Sequence, residues 1–484
     1  WLIDSADLIV KKGVTLWGQW LNLGEPDGQN YSNIQSAFIV NSAYTIRLAQ
    51  EFSAIEGMGI FRKGLTTPTD ATTALAAIAA FAGTAITVGY GVSKDASDTY
   101  VGNCLVLGFE YAYYNDYNER PRIEYLSADC TNGLYLNRVY DMCHVNKCHL
   151  WPFVTAHRAW TLTLDIWRRQ GVGYYLNLDV DWGQASECFD YGHDVGYEIS
   201  GSDNVVLLNC GSDNYKTNDT YSVGFYLHGD NQNINMIACK SSSHYRNIKV
   251  DLTGVYTQAV KIIGGNIWAT SAGTGRGIEV IAGNVIVNGV SFFDGPLAVH
   301  TGASAGFVSV DNCTFDAIVT PFSFNNENKV AIGSGNIFIG TVSDPTYGRR
   351  FTTNGNGLSY EAVYSATGSA GIVSRRSRGT VSAPTAVSSN DALHSIDYTG
   401  WDGSAWVRGA LFRAQAVGVI SSGVVPASFI WTTRNLAGTE ADRLAINSEG
   451  TFHPLTTATY ALGTSSLRWG TLYTACLSAT GLPV

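Results

Sequence analysis

The fold of this chain is decided by the stretch Gly196-Tyr-Glu-Ile-Ser-Gly201 and its repeats, Gly224-Phe-Tyr-Leu-His-Gly229, Asn247-Ile-Lys-Val-Asp-Leu252, Gly277-Ile-Glu-Val-Ile-Ala282 and Leu297-Ala-Val-His-Thr-Gly302. Apolar and polar residues alternate in each segment, which indicates a β-strand because successive side chains point to opposite sides. A turn and a second apolar strand follow each one. A repeat of roughly 20–30 residues without helical patterns between the strands is typical of a solenoid. The sequence therefore predicts an all-β, right-handed parallel β-helix.

Composition narrows the classes of partner. The chain has 484 residues and a net charge of -10, which argues against binding nucleic acid or an anionic membrane. No long uninterrupted apolar run is present, so we expect no transmembrane helix. The sequence also lacks a Walker loop, a dinucleotide fingerprint after a strand and a His-Glu-x-x-His helix. We predict neither a cofactor nor a metal ion.

Changes in the spacing of the predicted strands divide the chain into three predicted parts. Residues 1–340 form the β-helix, 341–450 a β-rich, sandwich-like C-terminal trimerisation domain, and 451–484 a short trimerisation tail. A helix is predicted within 66–83, since Thr and Asp begin this segment, alanine fills it and Gly ends it. The chain opens at Trp1 in the middle of a strand pattern, so we expect that upstream residues were removed.

The nine cysteines allow two interpretations. Cys143 and Cys148, each followed by a histidine, have a spacing that could bind zinc. The favoured interpretation places these cysteines inside the coil, because similar cysteines end several strands and would stack as small apolar residues. The comparable cysteines are Cys210, Cys239 and Cys313. A reduced protein assembled in the cytoplasm fits this pattern better than a disulfide framework.

Three segments resemble a known family. Ile9-Val-Lys-Lys-Gly-Val-Thr-Leu-Trp-Gly18 is similar to first rungs of pectate-lyase-like coils, and the segment from Asp181 to Cys210 is similar to rungs in the middle of tailspikes. Tyr460-Ala-Leu-Gly-Thr-Ser-Ser-Leu-Arg-Trp-Gly-Thr-Leu-Tyr473 is similar to the end of phage fibres. Nearly the whole chain thus resembles bacteriophage tailspikes that degrade capsule, exopolysaccharide or O-antigen. The resemblance implies a homotrimer on the virion tail, joined to the baseplate through the missing upstream region.

Outward residues of successive strands should form columns along the coil. We aligned the strands on the inward pairs Leu178/Val180, Tyr197/Ile199, Phe225/Leu227, Ile248/Val250 and Ile278/Val280. The first predicted column contains Asp179, Glu198, Tyr226, Lys249 and Glu279. The second contains Asp181, Ser200, His228, Asp251, Ile281 and His300. A register slip of one residue would turn every one of these side chains over.

Glycoside hydrolysis needs two carboxyl groups, one to protonate the leaving oxygen and one to attack or to activate water. The first predicted catalytic set is Glu198 with Asp179 or Asp181, and the reserve pair is Asp251 with Glu279. Adjacent carboxylates raise one another's pKa, which would keep the general acid protonated. The other interpretation of each outward acid is a solvated surface charge.

Basic and aromatic residues on the same columns suggest contacts with substrate. The predicted substrate-binding residues are His228, Tyr226, Lys249, Arg246, His300 and Trp182. The same residue types could instead serve a polysaccharide lyase, which removes the proton α to a uronate carboxyl group. A third alternative is a receptor-binding fibre without catalysis. The basic run Arg375–Arg378 is interpreted as a surface or trimer-axis feature.

Overall fold

The structure is a computed structural model and divides into two compact units, Trp1–Gly357 and Leu358–Val484. The predicted domain boundary at residue 340 lies outside the described residues, so the domain limits stay a prediction. No helix in the described part of the chain is long and apolar enough to cross a membrane. The residues that the structure describes are 1–19, 36–91, 94–156, 164–214, 222–242, 244–253, 259–268, 275–325, 330–333, 336–339, 376–380, 383–457 and 461–467.

The first unit is a parallel β-helix, as predicted. Through most of it each strand pairs in parallel with the strand three places further along the chain, so every turn of the coil, here called a rung, contributes to three faces. The first face contains Leu8–Val10, Ile46–Leu48, Thr84–Val88, Tyr111–Asp116, Asn132–Asn137, Arg169–Asn177, His193–Ser200, Val223–Gly229 and Arg246–Leu252. The second face contains Thr15–Trp17, Ala54–Glu56, Tyr100–Gly102, Arg122–Glu124, His144–Asn146, Gln184–Ser186, Val206–Leu208, Asn235–Ile237, Val260–Ile263 and Val330–Ile332. The third face contains Leu2–Ile3, Ala37–Val40, Gly59–Arg62, Leu105–Leu107, Ser127–Asp129, His149–Leu150, Phe189–Tyr191, Gly211–Asp213, Lys240–Ser242, Asn266–Trp268 and Ile337–Ile339.

Toward the C-terminal end of the coil the strands lengthen and continue from one face to the next. These strands are Arg276–Asn288, Ser291–Asp311 and Thr314–Phe324. The interior holds one continuous apolar core along the coil. Part of it is an aromatic stack, in which the ring centroids of Tyr174 and Tyr197 are 4.5 Å apart and those of Tyr197 and Phe225 are 4.7 Å apart.

A tight corner between the second and third faces explains the cysteine pattern. At Asn209 the backbone turns with a φ of 50°, and the next residue, Cys210, points inward and is fully buried. Its thiol lies 3.4 Å from the carbonyl oxygen of Ala185 on the preceding rung. The same combination of a left-handed residue and a buried cysteine occurs at Cys104, Cys148, Cys188, Cys239 and Cys313. The predicted inward positions are therefore confirmed.

The remaining cysteines, Cys130, Cys143 and Cys476, differ in position. Cys130 is buried and directly follows the third-face strand Ser127–Asp129. Cys143 is also buried and follows a left-handed residue, Met142, but it precedes a strand of the second face. Burial raises the pKa of the Cys143 thiol to about 12, which keeps it protonated. Cys476 lies outside the described residues.

The glycine that begins the sequence repeat is required by close packing inside the coil. A Cβ atom on Gly196 would lie 2.0 Å from Oγ of Ser212, and one on Gly224 would lie 2.3 Å from Oγ of Ser241. Both serines are inward residues of the third face on the following rung, and both are buried. The repeated glycine thus makes room for a neighbouring face, and neither position is a turn.

We expect Gly196→Ala to destabilise the coil by about 1–3 kcal/mol, the usual cost of overpacking a rigid interior. Urea unfolding followed by circular dichroism measures the change. Gly400→Ala is the control, because no atom lies within 4 Å of the Cβ position there. Equal midpoints for the two variants would contradict the packing role of the glycine.

The predicted helix is present as Ala71–Ala79, and a 3₁₀ helix covers Leu164–Trp167. Asp70 caps the longer helix in a reciprocal capping box with Thr73, so the predicted start signal is correct. The helix ends at Ala79, before the glycine at position 83 that the sequence suggested as its end. Its shorter length follows from the C-cap at Ala80, whose amide already bonds back to Ala77.

A buried ion pair lies next to these helices. The Arg169 guanidinium donates to both carboxylate oxygens of Asp129, at 2.6 and 2.9 Å, and the two side chains are 1% and 0% exposed. Asp129 also accepts a hydrogen bond from the Val154 amide at 2.7 Å, and Arg169 donates to Thr155 at 3.0 Å. The pair thereby holds the loop after the third face against the next strand of the first face.

The second unit is β-rich, as predicted, and its described strands pair antiparallel. Its five-stranded sheet contains Ala392–Trp401, Trp406–Ala416, Ala427–Arg434, Glu440–Ile446 and Phe452–Pro454. A separate pair joins Arg378–Thr380 to Ala383–Thr385. Arg378 donates to both oxygens of Asp391, at 2.7 and 2.8 Å, and these hydrogen bonds hold the pKa of that carboxyl well below its usual value. Arg378, at the described end of the basic run, is therefore bound by a carboxylate of the same chain.

Candidate functional site

The outward columns of the first face differ from the predicted alignment at one rung. Tyr175 pairs with Glu198, at the place where the sequence predicted Asp179. The inward residues of that rung are correspondingly Tyr174 and Leu176. The observed first column contains Arg47, Thr87, Tyr114, Tyr135, Tyr175, Glu198, Tyr226, Lys249, Glu279 and His300.

The predicted alignment fails at this rung because the residues after the strand form a corner, although they alternate between apolar and polar as a strand does. The strand ends at Asn177, and the next two residues, Leu178 and Asp179, have φ values of 45° and 61°. Leu178 is 51% exposed, whereas the alignment had required it to point inward. Asp179 and Asp181 thus lie on the corner between the first and second faces, one on each side of Val180.

The second column also needs correction at its ends. It contains Asn137, Asn177, Ser200, His228, Asp251 and Ala282. A bulge shifts the register after Val250, so Asp251 pairs with Ala282 rather than Ile281. His300 pairs with Glu279 and belongs to the first column.

Three tyrosines, here called the tyrosine strip, lead along the first column toward Glu198. The rings of Tyr114 and Tyr135 are stacked with centroids 4.7 Å apart and planes 5° apart, and Tyr135 and Tyr175 are 5.0 Å apart. All three side chains are partly exposed. Burial, and then the Glu198 carboxylate, raises the pKa of Tyr175 to about 12, so its hydroxyl stays neutral. The strip offers flat aromatic faces beside polar hydroxyls.

Four predicted site residues come together where the tyrosine strip ends. His228 Nε2 lies 2.8 Å from Glu198 Oε1, with the two side chains 27% and 16% exposed. The rings of Tyr226 and His228 are stacked with centroids 4.3 Å apart, and the Lys249 ammonium lies 4.2 Å from the Tyr226 centroid. Asp251 follows His228 on the next rung. The sequence alignment was correct over these rungs.

A cluster of four aspartates, here called the corner cluster, follows the strands of the first face. Its members are Asp179, Asp181, Asp203 and Asp230. Asp181 and Asp203 are partners in a parallel bridge between adjacent rungs. Burial, and then the charges of Asp181, Asp230 and Asp179, raises the pKa of Asp203. Asn204 steadies the cluster by donating to Asp181 Oδ1 at 3.2 Å.

Asp203 and Asp230 were missed by the sequence analysis. Each follows the end of a first-face strand by a few residues, as Asp179 and Asp181 do. Acids shortly after equivalent strands were therefore the available signal. Trp182, a predicted substrate-binding residue, lies on the same corner, and its side chain is 60% exposed.

Glu279, a predicted catalytic residue, is buried beneath two arginines, one of them the predicted substrate-binding residue Arg246. The Glu279 carboxylate is 2% exposed and forms ion pairs with Arg246 and Arg276. Glu279 is therefore enclosed, so the predicted reserve pair of Glu279 with Asp251 loses one member. His300 is partly buried and lies 3.2 Å from Ser323 Oγ, and burial, followed by the Arg276 charge, lowers its pKa. These side chains form a packed charged group at one end of the column.

The raised pKa of Asp203 has a consequence for stability. The folded-state pKa exceeds the reference value of 3.8, so this group's contribution to stability is full below that value and is lost as pH rises through the raised pKa. Above its raised pKa the ionised Asp203 therefore destabilises the fold. We expect Asp203→Asn to raise the Tm at pH 7 by roughly 1–2 °C and to leave it unchanged near pH 3.

Calorimetry at the two pH values measures this difference. Asp251→Asn is the matched control, since it makes the same substitution on the same face but outside the corner cluster. A lower Tm for Asp203→Asn at pH 7 would show that the carboxylate stabilises the fold, contrary to this expectation.

No three His, Cys, Asp or Glu side chains within the described ranges are arranged to hold a metal ion.

No family model matches the chain, and no curated protein matches it either. Among solved structures, the chain is similar to the gp42 tailspike of Acinetobacter phage vb_AbaP_AS12, with 11% identity and a TM-score of 0.33 over 99% of this chain and 81% of that one.

Two further structures show partial similarity. The catalytic domain of a GH87 alpha-1,3-glucanase in complex with nigerose matches with 11% identity and a TM-score of 0.38, over 68% of this chain and 62% of that one. The carboxy-terminal domain of the bacteriophage T5 L-shaped tail fibre matches with 15% identity and a TM-score of 0.23, over 31% of this chain and 52% of that one. The chain thus spans about half of the fibre domain and under two thirds of the glucanase domain. It is similar to phage tail proteins and to a glucanase domain at low identity.

Proposed function

We propose that the protein is an endo-acting glycoside hydrolase that binds and cleaves bacterial surface polysaccharide, as a phage tailspike does. The observation that carries the proposal is the pair of acids Asp181 and Asp203 on adjacent rungs, at the corner beside the first face. The tyrosine strip and the Glu198–His228 pair lie on that face. Glycoside hydrolysis needs two carboxyl groups, and an exposed aromatic surface beside them suits the binding of a long sugar polymer.

In this mechanism Asp203 is the general acid. Its raised pKa favours the protonated form, which can donate a proton to the leaving glycosidic oxygen. The Asp181 carboxylate either attacks the anomeric carbon or activates water. Adjacent parallel strands are about 4.8 Å apart, close to the roughly 5–5.5 Å between the carboxyl groups of retaining enzymes. The spacing therefore favours retention of the anomeric configuration. In that reaction a glycosyl ester forms on Asp181, and water hydrolyses it in the second step.

The remaining predicted residues have binding roles in this proposal. Rings of the tyrosine strip stack on pyranose faces, and Trp182 does so at the corner. Glu198, His228 and Lys249 supply hydrogen bonds and charge to hydroxyl or carboxylate groups of the polymer. An extended strip of this kind suits a chain of several sugars, which is consistent with internal cleavage.

Product analysis tests the reaction class. The protein is incubated with purified capsules, exopolysaccharides and lipopolysaccharides from a strain panel, and the products are examined by mass spectrometry and ultraviolet absorbance. New reducing ends with the mass of added water and without ultraviolet absorbance support hydrolysis. A polymer that is retained but never shortened would contradict catalysis and support a receptor-binding fibre.

A lyase is the second candidate, and one specific contact favours it. His228 is oriented by Glu198 at 2.8 Å, and Tyr226 and Lys249 lie beside it. In elimination, His228 or Tyr226 would remove the proton α to the uronate carboxyl group while Lys249 neutralises that carboxylate. The bond to the leaving oxygen breaks, that oxygen takes up a proton from water, and a carbon–carbon double bond forms. An unsaturated, ultraviolet-absorbing product would identify this reaction.

We further propose that the protein assembles as a parallel homotrimer on a virion tail. The five-stranded sheet leaves large apolar side chains exposed within a single chain, including Trp401 at 57%, Trp406 at 71% and Phe452 at 56%. Neighbouring copies would cover them. Light scattering at micromolar concentration should give the mass of three chains. The mass of one chain, from the 52.1 kDa sequence, would overturn the assembly.

A further inference from the structure

We propose that the third face carries a second, non-catalytic binding groove for the same polysaccharide, so the inference rests on the proposed substrate class. The groove has a volume of about 460 Å³ and crosses the rungs that also bear Glu198 and Tyr226. Its lining strands precede those of the first face on each rung. It is therefore separate from the tyrosine strip and from the corner cluster.

A missing side chain opens the groove. Phe189, Gly211, Lys240 and Asn266 occupy one outward position on successive rungs. Because Gly211 has no side chain, a gap remains between the Phe189 ring on one rung and the Lys240 side chain on another. A Cβ atom on Gly211 would lie 2.8 Å from the Phe189 ring, so this ring leans over the glycine and a side chain there would have to displace it.

Aromatic residues form one wall of the groove. Trp268 is 51% exposed, and its ring centroid lies 5.7 Å from that of Phe293 on the next rung. An exposed tryptophan supported by a second aromatic ring presents a firm apolar surface to a ligand. Ser242 lies one rung before Trp268 in the same column. The wall thus offers both polar and apolar contacts.

The chemistry of the lining favours a sugar chain. Aromatic faces match the apolar faces of pyranose rings, while Asn266 and Asn209 can bond to hydroxyl groups. Lys240 is exposed and suits an acidic sugar or a substituent carboxylate. The acids Glu187 and Asp213 in the same lining, on a chain with a net charge of -10, make a nucleic acid an unsuitable ligand.

A second site on the same rungs would affect polymers more than fragments. Once a polysaccharide chain is bound at one face, the site on the other face meets it at a high effective concentration. A polymer that reaches both faces therefore binds with a higher overall affinity than either site alone provides. A short oligosaccharide that fills only the first face gains nothing. The groove should therefore influence retention on intact polysaccharide and leave cleavage of a short substrate unchanged.

The test is affinity electrophoresis through gels that contain the purified polysaccharides of the strain panel. Trp268→Ala and Gly211→Leu are made in an Asp203→Asn background, in which we expect cleavage during the run to be slowed by about 10²–10⁴-fold. Each should raise the apparent Kd for the retained polymer about tenfold. Trp17→Ala, which removes a 70% exposed tryptophan from the second face, is the matched control and should keep the parent affinity. In the active background, Trp268→Ala should cleave a short oligosaccharide at the parent rate.

The outcomes separate the two proposals. If both groove variants are retained like the control, the groove is overturned and hydrolysis at the first face is unaffected. If no polysaccharide is cleaved but retention depends on Trp268, the hydrolase is overturned and the groove stands. If none of the polysaccharides retains the protein in the gel, the proposed groove is overturned. Trp268→Ala tests a surface side chain, so the conclusion does not depend on Gly211→Leu folding correctly.

Discussion

Asp203→Asn is expected to lower turnover of the cleaved polysaccharide by about 10²–10⁴-fold, the usual contribution of a general acid. Asparagine has nearly the same shape as aspartate but cannot donate the proton that the leaving oxygen needs. Polymer binding should stay close to that of the parent protein, because the tyrosine strip is untouched. Reducing-end release and affinity electrophoresis on the same polysaccharide measure the two quantities separately.

Matched variants locate the effect within the site. Asp181→Asn should be as damaging as Asp203→Asn, whereas Asp251→Asn, one rung beyond His228, should lose far less. Glu198→Gln and His228→Ala should weaken substrate contacts if hydrolysis occurs at the corner cluster. If these two abolish turnover while Asp203→Asn retains it, the Glu198–His228 pair performs the chemistry and the assignment of Asp203 is wrong.

The second large effect is structural. Asp129→Asn is expected to destabilise the coil by about 3–5 kcal/mol, since it leaves the Arg169 guanidinium buried without its counter-charge. Asparagine can still accept from the Val154 amide, so the change removes the charge with little loss of shape. Urea unfolding monitored by circular dichroism measures the difference in the free energy of unfolding.

The control for this change is the neighbouring ion pair of Arg168 with Asp194, whose side chains are 26% and 17% exposed. Partly exposed pairs contribute about 0–1 kcal/mol, so Arg168→Met should have a small effect. The double variant Asp129→Leu with Arg169→Met should recover part of the loss, because no buried charge remains. An equal loss for Asp129→Asn and Arg168→Met would contradict the special role of the buried pair.

The fold could be predicted because each rung repeats the same local signal. Alternation around Tyr197 and Phe225 placed their side chains inside, and the structure agrees. The failure came at Leu178–Val180, where the residues still alternate although the backbone has already turned. The hydrophobic pattern does not reveal where a residue other than glycine adopts a left-handed backbone conformation. The end of the strand in that rung could therefore not be predicted from the pattern.

The positions of the candidate site residues were predictable only where these residues share a strand position. Glu198, Tyr226, His228 and Lys249 meet because the register along the first face is regular. Glu279 occupies an equivalent position and yet is buried, because Arg246 and Arg276 close over it. Side-chain enclosure of this kind depends on neighbouring rungs, and the alternation pattern carries no information about it.

The buried cysteines at the corner between the second and third faces have a kinetic consequence. In a solenoid each rung is held only by its neighbours, so opening begins at the ends or at the weakest rung and spreads along the coil. Burial raises the pKa of Cys104 and Cys239 to about 12 and that of Cys313 to about 11, so none reacts as a thiolate until its own rung opens. The order in which these cysteines are alkylated, read by mass spectrometry, would record the sequence in which the coil unwinds.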